Sequence, residues 1–262
     1  MERPEKNRGD RPNNIRWHYI AGSVVLPALF YALFRLTTAV LWWFIDDVLQ
    51  ITCEPLDPQW NLLFCFGFVG FFLPLIYLSL SLIARKCIPL NMPKLVLFMG
   101  TVFLCAILAE CVVDSLFVIL IERPAWEYHI WPVHHGYTSG VGMFMWPLYG
   151  FYVYLLHFLL KEVELLAPLN NDIVKALILG ADAMFLEILA NFFALIFFHT
   201  FHFYYLRNDL YHFTTAEIFI SYVLCGFVGF KILALLDRRE RYRLPIGLVC
   251  FAAGILLILF IL

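Results

Sequence analysis

The chain has 262 residues, 63% of them hydrophobic and 15% charged, with a mean hydropathy of +0.82. Soluble domains run about 45–50% apolar and about 25% charged, so this composition excludes a soluble globular fold and a disordered chain alike. A net charge of −2 and a pI near 6.4 exclude an electrostatic nucleic-acid binder, and no nucleic-acid partner is expected.

The first 18 residues are polar and Pro-containing and read as a flexible cytoplasmic N-terminus. Seven apolar stretches follow, over 19–45, 61–84, 95–121, 138–160, 173–198, 217–236 and 244–262. Each is long enough for a spanning helix, and turn or charged clusters separate them. The first has no small-residue cleavage site and reads as a retained signal anchor. A β-barrel would show alternating ten-residue segments, so the expected fold is an all-α polytopic bundle of seven transmembrane helices, 19–262 forming one membrane domain.

Lys and Arg are lopsided. Arg3, Lys6, Arg8, Arg11, Arg16, Arg85, Lys86, Lys94, Lys161 and Arg238 to Arg243 fall on one side, and only Arg123 and Arg207 on the other. The positive-inside rule places the N-terminus in the cytoplasm and the C-terminus outside. The outer loops, 46–60, 122–137 and 199–216, carry Trp60, Trp126, Tyr128, Trp131 and Tyr205 together with six of the eight histidines. The seven cysteines sit mostly in apolar runs without a CxxC pair, which reads as small hydrophobes rather than a disulfide or zinc framework.

Shifting the chain by 77 residues lays 109–159 over 186–236. Glu110 falls on Glu187, Asp114 on Asn191, Trp126 on Phe203, Tyr128 on Tyr205, His135 on His212 and Thr138 on Thr215. Only seven of 51 pairs are identical, so the argument rests on which positions match. Each unit reads as an apolar helix with a buried acid, an aromatic-x-Tyr loop, His, Thr and a second apolar helix. A two-helix internal repeat is expected.

Intramembrane charge costs about 2.5–3.5 kcal/mol per residue even on the lenient insertion scale, so such groups turn inward. Glu110 and Glu187 are the expected pair, Asp114 lies one turn beyond Glu110, and Arg35 is the candidate counter-ion. The functional reading is an acidic site among the first, third and fifth helices, lined also by Trp126, Tyr128 and Tyr205. The structural alternative is a set of buried ion pairs that fixes helix packing. The histidines offer a third reading, a single zinc on His134, His135 and His212, against interfacial hydrogen bonding or pH sensing. No cofactor is expected, and no Walker A, GxSxG or GxGxxG stretch sits in a suitable setting. In the fourth stretch, Gly136 to Gly142 reads as a helix opening capped by Thr138 or Ser139, with a kink at Pro147.

Glu110, Trp126-Glu127-Tyr128, Gly136-Tyr137-Thr138-Ser139, Trp146 and Leu148-Tyr149-Gly150 together resemble the pattern of transmembrane protein 229 and the bacterial CmpB-type permeases. The resemblance covers about 109–230, with Glu187, Phe203-Tyr204-Tyr205 and Asn208 as a looser second unit. It departs at Glu127, where Asp is usual, and at Phe203, where Trp is usual, and the family typically has fewer spans. It implies a permease-like protein with no known substrate. A fainter likeness is to membrane lycopene cyclases, but Pro147-Leu148 is followed by Tyr149-Gly150 rather than by paired glutamates. Three functions are therefore carried forward: a permease-like or small-solute-binding protein, a membrane-embedded enzyme acting on a lipid or isoprenoid with Glu110 and Glu187 as acid and base, and a non-catalytic subunit of a membrane complex. The expected partners are membrane lipids, a small-molecule or ion substrate, and other subunits.

Overall fold

The computed structural model describes residues 14–50, 58–128, 133–134, 138–207 and 209–260. It is all-α, 83% helical. The long helices are α1 (Asn14–Trp42), α2 (Pro58–Ala84), α3 (Met92–Ile121), α4 (Gly142–Glu162), α5 (Asp172–Phe198), α6 (Ala216–Asp237) and α7 (Arg243–Phe260). Four short strands lie in the connections: β1 (Trp126–Tyr128), β2 (Val133–His134), β3 (Thr138–Ser139) and β4 (Phe203–Tyr205).

Among the described residues, five helices are long and apolar enough to cross a membrane: α2 from Cys65, α3, α4, α6 and the segment containing α7. The chain thus has the build of an integral, multi-pass membrane protein. Large apolar side chains point outward along these helices, among them Leu82, Leu120 and Phe260. A water-facing surface would not carry so many.

The helix ends follow from local chemistry. The Asn91 side chain accepts from Lys94 N at 3.1 Å and opens α3. Asn171 accepts from Ile173 N at 2.9 Å and opens α5. Glu122 ends α3 and His199 ends α5, both with left-handed backbone (φ 61° and 53°). Their N–H groups close on Val118 O and Leu195 O, both at 3.0 Å.

Close helix approach rests on glycine. A Cβ at Gly247 of α7 would lie 2.6 Å from Val96 O of α3, and one at Gly150 of α4 would lie 2.6 Å from Met99 Cα. α3 is thereby gripped from two sides, by α7 and by α4.

One expectation at the start of α4 is corrected. Thr138 and Ser139 do not cap the helix. They form β3, paired with β2 as Val133 opposite Ser139 and His134 opposite Thr138. Ser139 Oγ accepts from Val141 N at 3.3 Å, and α4 begins only at Gly142. The glycine-rich run favours a turn over the first helical residues, and Thr138 has another use, described next.

A candidate carboxylate site at the end of an apolar chamber

Two turns of backbone fix the loops that build the site. Asp114 Oδ1 accepts from Ala125 N at 2.6 Å and from Trp126 N at 3.4 Å. Asn191 Oδ1 accepts from His202 N at 3.0 Å and from Phe203 N at 3.4 Å. The Asn191 amide also donates to Phe203 O at 2.9 Å and Phe213 O at 3.4 Å. Thus β1 is tied to α3 and β4 to α5 by side chains at matching positions. The two strands then pair antiparallel, Trp126 with Tyr205, Glu127 with Tyr204, and Tyr128 with Phe203. Sequence reasoning reads these segments as loops, because three residues are too short to show a period of two.

This pairing brings the two tyrosines to the two glutamates. Tyr128 donates to Glu110 Oε1 at 2.5 Å. Thr138 donates to Glu110 Oε2 at 2.5 Å, and Trp146 Nε1 to Oε1 at 3.2 Å. Tyr205 and Tyr222 donate to Glu187 Oε1 at 2.6 Å and 2.5 Å. Thr214 stands beside this carboxylate without reaching hydrogen-bond geometry to Oε2. It lies one residue before the Thr215 that the 77-residue shift selects. Burial, and then the neighbouring carboxylate, holds the phenols of Tyr128 and Tyr205 well above the usual tyrosine range, so both remain donors.

Both glutamates line one chamber of about 120 Å³ between α3 and α6. Away from the carboxylates its wall includes Val102, Ala106, Leu179, Phe230 and Leu233, with Thr101. Trp126, Tyr128 and Tyr205 line it too, so they join Glu110 and Glu187 as the sequence reading expects. Asp114 is buried but is not part of the lining; it serves as the anchor of β1. Arg35 is exposed on α1, and the hydrogen-bond partners of the glutamates are hydroxyls and an indole rather than a guanidinium. An inward-facing Arg35 is thus corrected: the bonds these carboxylates make come from donors on α4, α6 and the strands, and Glu187 Oε2 has no partner among the described residues.

Of the expected metal ligands, His135 lies outside the described residues, and His134 is described only as backbone in β2. His212 Nδ1 meets Tyr205 O at 2.7 Å, and its ring stacks on Tyr204 at 4.2 Å. Among the described residues no group of three or more His, Cys, Asp or Glu is placed to hold a metal. Among its described contacts, His212 packs on β4 through its ring and its Nδ1.

Comparison with family models, curated proteins and solved structures finds no match.

Tyr222 and Thr214 are not singled out by the sequence, each being one polar residue in or beside an apolar helix. Trp146 and Tyr149 stand out in it only within a motif. The Trp146 indole proves to be the third donor to Glu110.

Proposed function

We propose that the protein is a seven-span membrane protein, N-terminus inside, that binds a lipid-soluble molecule in the α3–α6 chamber with its polar end at Glu110 and Glu187. One observation carries this reading: both carboxylates line the same apolar chamber, and among the described residues neither is bonded to a cation. Glu187 Oε2, buried and without a hydrogen bond among the described residues, keeps acceptor capacity for a further partner. Ion pairs that only fixed helix packing would have used that capacity up.

The two hairpins α3–α4 and α5–α6 are, in this proposal, related units. The recurrence of the same bonds after 77 residues supports it: Glu110–Tyr128 and Glu187–Tyr205, Asp114–Ala125 N and Asn191–His202 N, Glu122 N–Val118 O and His199 N–Leu195 O. The likeness of 109–230 to the transmembrane protein 229 and CmpB-type permease pattern belongs to the same proposal. The wall chemistry favours a lipid or isoprenoid over a hydrated solute, so a permease of this build would move a lipid-soluble cargo.

A second reading is an enzyme acting on that ligand, favoured by the shared chamber. Two carboxylates in unlike donor environments are the arrangement that acid–base pairs use.

The test is extraction. Protein purified in mild detergent from its own membranes is extracted with organic solvent, and the extract is compared by mass spectrometry with that of Ala106→Trp, which fills the chamber. A lipid-soluble compound enriched at least tenfold with the parent protein and lost in the variant is expected. Identical extracts from both would overturn the reading and favour a scaffold role.

A further inference from the structure

A second cavity, also of about 120 Å³, lies between α4 and α5 beneath α2. Its lining follows that of the α3–α6 chamber. Ala183, Leu186 and Ala190 of α5 stand where the first chamber has Ala106, Ala109 and Val113 of α3, each 77 residues earlier. Val141, Met145 and Leu148 of α4 likewise answer to Ile218, Tyr222 and Cys225 of α6. The cavities share a wall one residue thick, which includes Tyr128, Trp146, Phe203, Tyr222 and Glu187. Glu187 thus borders both.

The two also differ. Phe68, Phe72 and Ile76 of α2 roof the second cavity only. Where α6 brings Gly226 and Gly229 to the first, α4 brings Tyr149 and Tyr152 to the second; Tyr149 borders both cavities and Tyr152 the second alone. Tyr149 donates to Leu179 O at 3.1 Å, and Tyr152 donates to Asp182, so both phenols are held in place. Along α6 the first chamber runs from Ile218 to Leu233, and along α4 the second runs from Val141 to Tyr152. At 1.5 Å per residue the second is shorter by about 6 Å.

Both cavities are open-mouthed apolar clefts rather than sealed voids, and a cleft of that chemistry in a bilayer takes up hydrocarbon rather than water. Two such clefts of equal volume, on either side of one wall carrying a glutamate, fit one guest with two apolar parts. We infer that the α4–α5 cavity receives a second, shorter hydrocarbon arm of the same ligand, so that the ligand is a two-armed lipid whose polar centre lies at Glu187. This inference rests on the proposed reading of the α3–α6 chamber.

The experiment uses the full chain in nanodiscs and a diacylglycerol with a diazirine at the end of each acyl chain. After illumination, labelled residues are mapped by peptide mass spectrometry. Labels on lipid-facing Phe71, 60% exposed, confirm insertion in every sample. The inference predicts labels on Ala109 or Gly229 and also on Phe72 or Ala190. Ala183→Trp should cut the Phe72 labels at least fivefold while leaving those on Gly229. Phe72→Ala, which enlarges the cavity, should raise the labels on Ala190 and provides the readout if Ala183→Trp does not fold. Labels confined to the α3–α6 chamber and indifferent to both variants would overturn the second arm and leave the first reading standing. Labels only on lipid-facing residues would overturn both.

Discussion

Glu127 of β1 lies directly opposite Tyr204 of β4, and Tyr204 stands 77 residues after Glu127 in the chain. In the two-hairpin reading proposed above, Tyr204 is the counterpart of Glu127, and their pairing marks a local two-fold axis between the units. Around that point Trp126 pairs with Tyr205 and Tyr128 with Phe203, so each hairpin hands its tyrosine to its own glutamate. Tyr128 and Phe203, the next pair along, both stand in the wall between the two cavities.

The anchors Asp114 and Asn191 should respond differently to the same chemical exchange. Asp114→Asn retains an acceptor for Ala125 N and should be tolerated within about 1 kcal/mol. Asn191→Asp sets a carboxylate against Phe203 O and Phe213 O, which now receive donated bonds, and should cost about 2–4 kcal/mol. Unfolding in mixed detergent, followed by circular dichroism, gives both values. Equal costs would contradict the roles assigned here.

Removing donors from Glu110 should be cumulative and uneven. Thr138→Val leaves Glu110 Oε2 without its 2.5 Å bond, and Tyr128→Phe takes one of two bonds from Oε1. The first should cost more, about 2–3 kcal/mol against about 1–2 kcal/mol, because only it leaves an oxygen bare. Relative unfolding midpoints of the two variants check the order.

Substituting the close-approach glycines should separate helices. Gly247→Val places a methyl-bearing Cβ within 2.6 Å of Val96 O, which backbone cannot evade by changing rotamer. A loss of about 3 kcal/mol or more is expected. By contrast, Gly229→Ala meets nothing within 4 Å and should fold normally.

His202 gives the pH dependence. Burial pulls its imidazole down from the ordinary 6.5 to about 3. The unfolded chain therefore binds a proton between these values that the folded chain does not, and folding stability falls as pH drops below about 6.5. By pH 5 the loss should reach about 2 kcal/mol, and His202→Gln should remove it. An unchanged pH slope in that variant would contradict the assignment.

Much of the architecture was legible in the sequence for one physical reason. Apolar runs must be helical in lipid, so 95–121 and 173–198 announce α3 and α5 to within a few residues. Glu110 and Glu187 were legible because charge in such runs is costly. Trp126, Tyr128 and Tyr205 were legible from their matching spacing. The donors Trp146 and Tyr222 were not legible as such, since nothing in a linear string says which residue of α4 or α6 faces a glutamate on another helix. Arg35 misled for a related reason: a long side chain near lipid can turn its charge outward. The start of α4 was misplaced because Thr138 serves Glu110, a partner 28 residues away, rather than the nearest helix end.

The most direct test of the central claim is a cryo-EM map of the full chain in nanodiscs of its native lipids, at a resolution that shows side chains. The account predicts the carboxylates of Glu110 and Glu187 within about 10 Å of each other, at the end of an α3–α6 chamber filled by elongated density. Carboxylates that point to separate ion pairs, with α3 and α6 packed tightly and no chamber between them, would contradict it.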